Sequence, residues 1–266
     1  MAAETILEAR DLRKTYSASP GALAGTGKRF TAVDGVSFAL ARGETLAIVG
    51  ESGSGKTTVA RMVLRLIDPD SGAVTFRGEN LLSASGEKLR RLRRGMQMVF
   101  QDPMASLNPR MRIGEIVGEP LAIHEPQLSR AERATRATEI LQAVGMSAEV
   151  QMRYPHEFSG GQRQRIGIAR ALILRPELLI ADEPVSALDV SVGAQILELL
   201  AQLQREFSLT MILISHSLPV VAQLASRVAV MQKGRIVETG DTTAVLEHPQ
   251  NAYTQALIAA VPEIPA

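Results

Sequence analysis

The sequence contains no cysteine. That absence excludes disulfides, cysteine-ligated zinc and iron–sulfur clusters. Aromatic residues make up only 3% of the 266 residues, and the formal net charge is +1. A nucleic-acid groove needs a basic face and aromatic platforms, so the composition speaks against a nucleic-acid partner. No apolar run approaches the roughly 18 residues needed to span a bilayer. The opening stretch, Met1 to Leu12, lacks the basic-then-apolar layout of a secretory signal. The chain is therefore expected to be soluble and cytoplasmic, with any membrane role exercised through partners. What is present is ample apolar material, 45% of the residues. The length suits one α/β domain with a subdomain, or two small domains.

The stretch Thr45 to Val59, TLAIVGESGSGKTTV, organises the rest. Leu46-Ala47-Ile48-Val49 is an apolar, β-branched run that predicts a buried parallel strand. Gly50, Glu51, Ser52, Gly53, Ser54 and Gly55 follow as a turn, and Lys56-Thr57-Thr58 open a helix. This is the G-x-x-x-x-G-K-[ST] phosphate loop, or Walker A motif. Its glycines let the backbone take positive φ, so that successive N–H groups can face a polyphosphate. The helix N-terminus adds partial positive charge and free amide donors. Lys56 is placed to reach the β- and γ-phosphates, and Thr57 offers a hydroxyl to Mg²⁺.

Around this motif the chain reads as a P-loop core. Thr5 to Leu12 and Phe30 to Leu40 predict strands of an antiparallel β-layer, separated by a small, Gly-rich segment from Ser17 to Lys28. Tyr16 has the look of a rim aromatic. Thr58 to Leu66 continues the helix to the turn Asp68-Pro69-Asp70-Ser71-Gly72. Ala73 to Arg77 and Met96 to Phe100 predict strands. Between them Lys88, Arg90, Arg91, Arg93 and Arg94 read as a solvated helix face. From Gln101 to about Val150 the chain is punctuated by Pro103, Pro109, Pro120 and Pro126. Ser129 to Val144 there has a helical period, with Ser129 as N-cap, Glu132 in capping-box position and Ile140, Leu141 and Val144 as its apolar stripe.

Farther on, Phe158-Ser159-Gly160-Gly161-Gln162 opens another helix. Leu178 to Ala181 is an apolar strand ending in Asp182-Glu183, the Walker B pattern, which sets a carboxylate near the phosphate loop to hold Mg²⁺ through water. Ser186 to Asp189 leads into a helix from about Val192 to Glu206. Thr210 to Ile214 predicts a buried strand followed by Ser215-His216, at the carboxyl edge where such sheets bind ligands. Val228 to Met231 and Arg235 to Glu238 flank Lys233-Gly234 as a hairpin, and His248 to Val261 reads as a short helix.

With Walker A, Gln101, Ser159-Gly160-Gly161-Gln162, Walker B and His216 in this order, the chain resembles the nucleotide-binding subunit of an ABC transporter over almost its whole length. VFQDPMASLNPR (99–110), YPHEFSGGQRQR (154–165), ADEPVSALDVS (181–191) and HPQNAYTQAL (248–257) are similar to the dipeptide/oligopeptide/nickel importer subfamily. Within it the chain most resembles the second of the two paired ATPases. The resemblance implies the ABC ATPase fold: a mostly parallel P-loop core with an N-terminal antiparallel β-layer and an inserted helical subdomain. The expected parts of this single domain are 1–100 (β-layer and Walker A), 101–175 (helical subdomain), 176–240 (Walker B and switch histidine) and 241–266 (helical tail).

The resemblance also implies roles. Two such domains would sandwich two ATP molecules head to tail. Lys56 and the loop amides of Gly50 to Thr58 would hold the phosphates, and Thr57 and Gln101 would meet Mg²⁺, with Asp182 acting through water. Glu183 would be the general base or orient the attacking water, and His216 would contact the γ-phosphate. Ser159, Gly160, Gly161 and Gln162 would complete the partner's site, Asp189 would cross the interface, and Tyr16 would stack on adenine.

The implied partners are a second ATPase subunit (a paralogue, otherwise a second copy), two integral-membrane permease subunits and, indirectly, an extracytoplasmic solute-binding protein. The chain would sit peripherally on the cytoplasmic face of the inner membrane and receive a permease helix within about Gln101 to Pro120. The competing expectation is a soluble ABC-type ATPase of a non-transport complex such as carbon–phosphorus lyase. Two departures stand out. Ser217-Leu218-Pro219 follows the switch histidine where an acidic residue is usual, and the chain is expected to lack the cysteine-bearing extension common in the subfamily.

Overall fold

The computed structural model describes residues 4–17, 29–102 and 106–260. In chain order it begins with β1 (Thr5–Ser17), β2 (Arg29–Ala41), β3 (Thr45–Val49), α1 (Lys56–Val63), β4 (Ser71–Phe76) and β5 (Glu79–Asn80). There follow α2 (Gly86–Arg94), β6 (Met96–Val99), α3 (Ile113–His124), α4 (Arg130–Ala143), α5 (Gly160–Leu172) and β7 (Leu178–Asp182). The chain closes with α6 (Val190–Phe207), β8 (Thr210–Ser215), α7 (Leu218–Leu224), β9 (Arg227–Gln232), β10 (Arg235–Asp241), α8 (Thr242–Glu247) and α9 (Ala252–Ala259). It is an α/β chain that divides into two compact units, one of residues up to 84 and from 213 onward, the other of residues 85–212. The segment Ser17 to Lys28, the residues Pro103 to Ala105 and the end of the tail fall wholly or largely outside the described residues.

In the first unit an antiparallel sheet has the order β2-β1-β4-β5. Leu7, Leu12, Val33, Leu40 and Phe76 are fully buried, and register shifts along β1 and β2 interrupt a strict alternation. β1 continues past the expected end at Leu12, pairing Lys14 with Val33 and Tyr16 with Phe30. Asp70 holds this extension, accepting from the Lys14 ammonium at 3.0 Å and the Thr15 amide at 2.7 Å. β3, buried at every position, pairs in parallel with β9 from Leu46↔Arg227 to Val49↔Val230. β10 runs antiparallel to β9, giving the expected hairpin.

α1 begins at Lys56 and stops at Val63, short of the expected Leu66. Arg65 takes φ +51°. The amides of Leu66 and Arg65 then turn back to the carbonyls of Arg61 (2.8 Å) and Met62 (2.9 Å). This pair of bonds is a Schellman ending, which satisfies carbonyls the last turn would otherwise leave open. The tail is likewise not one helix from His248. α8 and α9 are separate, the first capped by the Asp241 carboxylate and the second by Asn251.

In the second unit β6 and β7 pair in parallel from Met96↔Leu178 to Val99↔Ala181. α3, α4 and α5 pack on one another. These helices bury Ile113, Ile116, Val117, Leu121, Leu141, Ile166 and Ile168, each no more than 1% exposed. α4 starts as its sequence predicts. The Ser129 hydroxyl accepts from the Glu132 amide, and the Glu132 carboxylate accepts from the Ser129 amide at 2.8 Å. Ile140, Leu141 and Val144 are buried as expected. Pro120, by contrast, does not end a segment but lies inside α3. The helix tolerates it, with buried Ile116, Val117 and Leu121 around it, although a proline supplies no amide to the preceding turn.

Candidate functional site

The phosphate loop leaves the buried end of β3 and runs into α1. Gly50 has φ +147°, and a Cβ there would stand 2.1 Å from the Met231 carbonyl oxygen. Gly55 has φ +105°, with the Ala32 carbonyl oxygen 2.2 Å from its would-be Cβ. Only glycine suits either position. Gly53, at φ +80°, faces open space within 4 Å. The loop is curved, packed from behind and open at its crest, where Glu51, Ser52 and Gly53 are exposed.

Lys56 is 5% exposed. Its ammonium donates to the carbonyls of Gly50 (2.7 Å) and Glu51 (2.8 Å) and to the Ser54 hydroxyl at 3.4 Å. A buried ammonium thus lies inside the loop, at the N-terminus of a helix with Thr57 and Thr58 in its first turn. That donor set fits a polyphosphate carrying a hard divalent cation: amides and an ammonium for the phosphates, a threonine hydroxyl for the metal. Among the described residues no group of three His, Asp or Glu could hold a metal by itself. Tyr16 lies at the far end of β1, 41% exposed, opposite Phe30 of β2, which is 59% exposed. His216 follows β8 and is exposed. The Ser217 amide after it donates to the Ser215 hydroxyl at 3.0 Å. The helix after His216 then starts at Leu218 with proline in its first turn, where a missing amide costs little.

The second unit holds the carboxylates. Asp182 ends β7 and is 3% exposed. Glu183 follows with φ +47°, a left-handed conformation that a non-glycine residue adopts at a cost of about 1 kcal/mol or more. The Ser186 amide and hydroxyl hold its carbonyl at 3.2 and 3.1 Å. The Glu183 carboxylate accepts from the Gln101 side-chain amide at 3.0 Å. The glutamine after β6 and the glutamate after β7 thus meet because their strands are neighbours.

Ser159-Gly160-Gly161-Gln162 forms a capping box that the sequence reading did not identify. Ser159 caps α5, accepting from the Gln162 amide at 3.4 Å, and the Gln162 side chain accepts from the Ser159 amide at 3.0 Å. The helix therefore begins at Gly160, inside the motif rather than after it. A Cβ on Gly161 would stand 2.3 Å from Val192 Cγ1, which explains the second glycine by packing. Asp189 is the N-cap of α6, and the helix begins two residues before the expected Val192. Its carboxylate accepts from the Val192 amide and the Ser191 hydroxyl, both at 2.9 Å, and these bonds hold it below the usual carboxylate range.

Two residues of the first unit carry no signal in the sequence. Phe30, the cross-strand partner of Tyr16, carries no motif. Tyr253 lies in the tail stretch noted only as a subfamily mark. Its hydroxyl accepts a hydrogen bond from the Glu51 amide at 3.1 Å.

These features define a nucleotide-binding α/β protein with a phosphate loop. The chain belongs to the ABC transporter family, whose model matches residues 33–186. It is 51% identical to the oligopeptide transport ATP-binding protein AppF of Bacillus subtilis, over 97% of this chain and 79% of that one. It is 48% identical to the di/tripeptide transport ATP-binding protein DppF of Pseudomonas aeruginosa, over 98% of this chain and 80% of that one. Among solved structures, the ATP-binding cassette MJ0796 in a dimeric post-hydrolysis state bound to ADP and Pi superposes with a TM-score of 0.79. That match has 28% identity and covers 89% of this chain and 99% of the other.

Proposed function

We propose that this chain is the ATP-hydrolysing subunit of an importer for peptides or similar small solutes. The observation that carries this reading is identity of about half, along nearly the whole chain, to ATP-binding proteins named for oligopeptide and di/tripeptide transport. The competing soluble-complex reading finds no counterpart among these relatives.

Lys56 and the amides of the Gly50–Thr58 loop other than that of Glu51, which Tyr253 holds, bind the phosphates of ATP, and Tyr16 stacks on the adenine. Thr57, Gln101 and, through water, Asp182 would hold Mg²⁺. When bound, the ion neutralises charge on the β- and γ-phosphates. Glu183 orients the attacking water or takes its proton, and His216 contacts the γ-phosphate. Two copies of the fold act face to face, as the dimeric neighbour supports. Ser159 to Gln162 then serve the opposite subunit, where the α5 N-terminus offers amides and positive potential to a phosphate. Asp189 lies at that interface. The pairing is with a paralogue, otherwise with a second copy.

A groove of about 820 Å³ in the second unit fits the membrane partner. Met111, Arg112, Glu115, Glu119, Arg130 and Met152 line it, mixing flexible apolar side chains with both charges. Met152 there is 65% exposed. The groove takes in part of the expected stretch before Pro120 and extends it to α4. We assign it to a helix of the permease and, with that, assign the chain to the cytoplasmic face of the inner membrane. Among the described residues no helix is long and apolar enough to cross a membrane.

The test is to tag the chain in its native cell, solubilise gently and identify what co-purifies. Two multi-span membrane proteins and a related ATPase are expected. A wholly soluble assembly would overturn transport and leave ATP hydrolysis standing.

A further inference from the structure

The Gly50–Glu51 peptide lies at the entry of the phosphate loop. A trans peptide is planar, so its carbonyl and amide point in opposite directions and fixing one fixes the other. Here both are engaged. The Gly50 carbonyl accepts from Lys56 Nζ at 2.7 Å, and the Glu51 amide donates to the Tyr253 hydroxyl at 3.1 Å, 202 residues away. Gly50 brings no side chain to restrain the plane, and its φ of +147° is open only to glycine. These two bonds are what orient it.

Tyr253 is itself held. Its amide donates to Asn251 Oδ1 at 2.9 Å, at the start of α9. The amides of Gln250 and Asn251 donate to the Glu238 carboxylate of β10 at 2.8 and 3.2 Å. The turn before β10 grips the loop at a second point, where the Gly234 amide donates to the Ser54 carbonyl at 3.0 Å. One C-terminal strand and helix therefore hold the loop from its outer side at Glu51 and Ser54.

We infer that Tyr253 is a positioning residue of the nucleotide site: its hydroxyl fixes the Gly50–Glu51 peptide and thereby the place from which Lys56 meets the phosphates. The inference rests on the reading of this loop as an ATP site. It predicts that the tail helix sets nucleotide affinity without touching the nucleotide.

The experiment compares the full chain with Tyr253→Phe, which keeps the ring, and Asn251→Ala, which frees the Tyr253 amide. The readouts are the Kd for a fluorescent ATP analogue with magnesium, KM and kcat for ATP, and Tm without nucleotide. Tyr253→Phe is expected to raise Kd and KM by about 2- to 10-fold, the range one neutral hydrogen bond supports, at unchanged kcat and Tm. Asn251→Ala is expected to shift Kd in the same direction. Unchanged affinity in Tyr253→Phe would overturn the inference while leaving the site intact. So would a weakening that tracks a fall in Tm. If the unaltered chain bound no ATP, the functional reading itself would fall, and this inference with it.

Discussion

The Gln101 side-chain amide and the Glu183 carboxylate meet at 3.0 Å across 82 residues of sequence. Glu183 reaches that position on a left-handed backbone, at φ +47°. Strain of this kind persists where the surroundings over-determine it, and it often accompanies function. Glu183→Gln retains an oxygen that can accept from Gln101 but removes the base. It is expected to bind ATP as the unaltered chain does and to lose about 10²- to 10⁴-fold in kcat, the range for one general base. Full turnover in phosphate-release assays would sink the assignment.

Lys56 offers a second test, on binding rather than chemistry. Its ammonium is buried and already inside the loop, bonded to Gly50, Glu51 and Ser54. A charge-assisted hydrogen bond contributes about 1.5–3 kcal/mol, or roughly 10- to 150-fold in affinity. Lys56→Ala is expected to raise the Kd for ATP by that factor, measured by calorimetry. Unaltered affinity would show that the phosphates bind elsewhere.

The loop glycines separate steric need from conformational need. A Cβ on Gly50 meets the Met231 carbonyl oxygen at 2.1 Å, a backbone atom that cannot swing aside. A Cβ on Gly53 meets nothing within 4 Å, although its φ is +80°. Gly53→Ala therefore carries only the left-handed penalty, about 1–2 kcal/mol. Gly50→Ala adds a backbone displacement and is expected to cost more than about 3 kcal/mol in denaturant unfolding. Equal losses would contradict this packing.

Where a signal is local, the sequence was enough. Strand β3, the phosphate loop and the Ser129–Glu132 capping box each declare themselves within a few residues, because periodicity and capping act at short range. The end of α1 did not, since its stop is a left-handed arginine, Arg65, rather than a glycine. Pro120 misled for the opposite reason: a usual helix breaker sits inside α3. The capping box in Ser159–Gln162 is equally local, since Ser followed three residues later by Gln is a short-range pattern like Ser129 and Glu132. The Tyr253–Glu51 bond had no local signal at all. Its partners are joined only by the folding of β9, β10 and the tail.

Asp34 provides a test of electrostatics in the first unit. Its carboxylate accepts from Arg235 Nε at 2.8 Å and Nη2 at 2.5 Å, and it also pairs with Arg13. The Arg235 hydrogen bonds, aided by the charges of Arg235 and Arg13, hold it below its ordinary value. The sign follows from that direction: the folded state binds the proton less readily than the unfolded state. The contribution to stability is therefore complete above the unfolded value, about 3.9, and is lost as pH falls below it toward the folded value. Asp34→Asn is expected to flatten this acid limb in unfolding curves between roughly pH 5 and 2. An acid limb unchanged by Asp34→Asn would assign that pH dependence to other carboxylates.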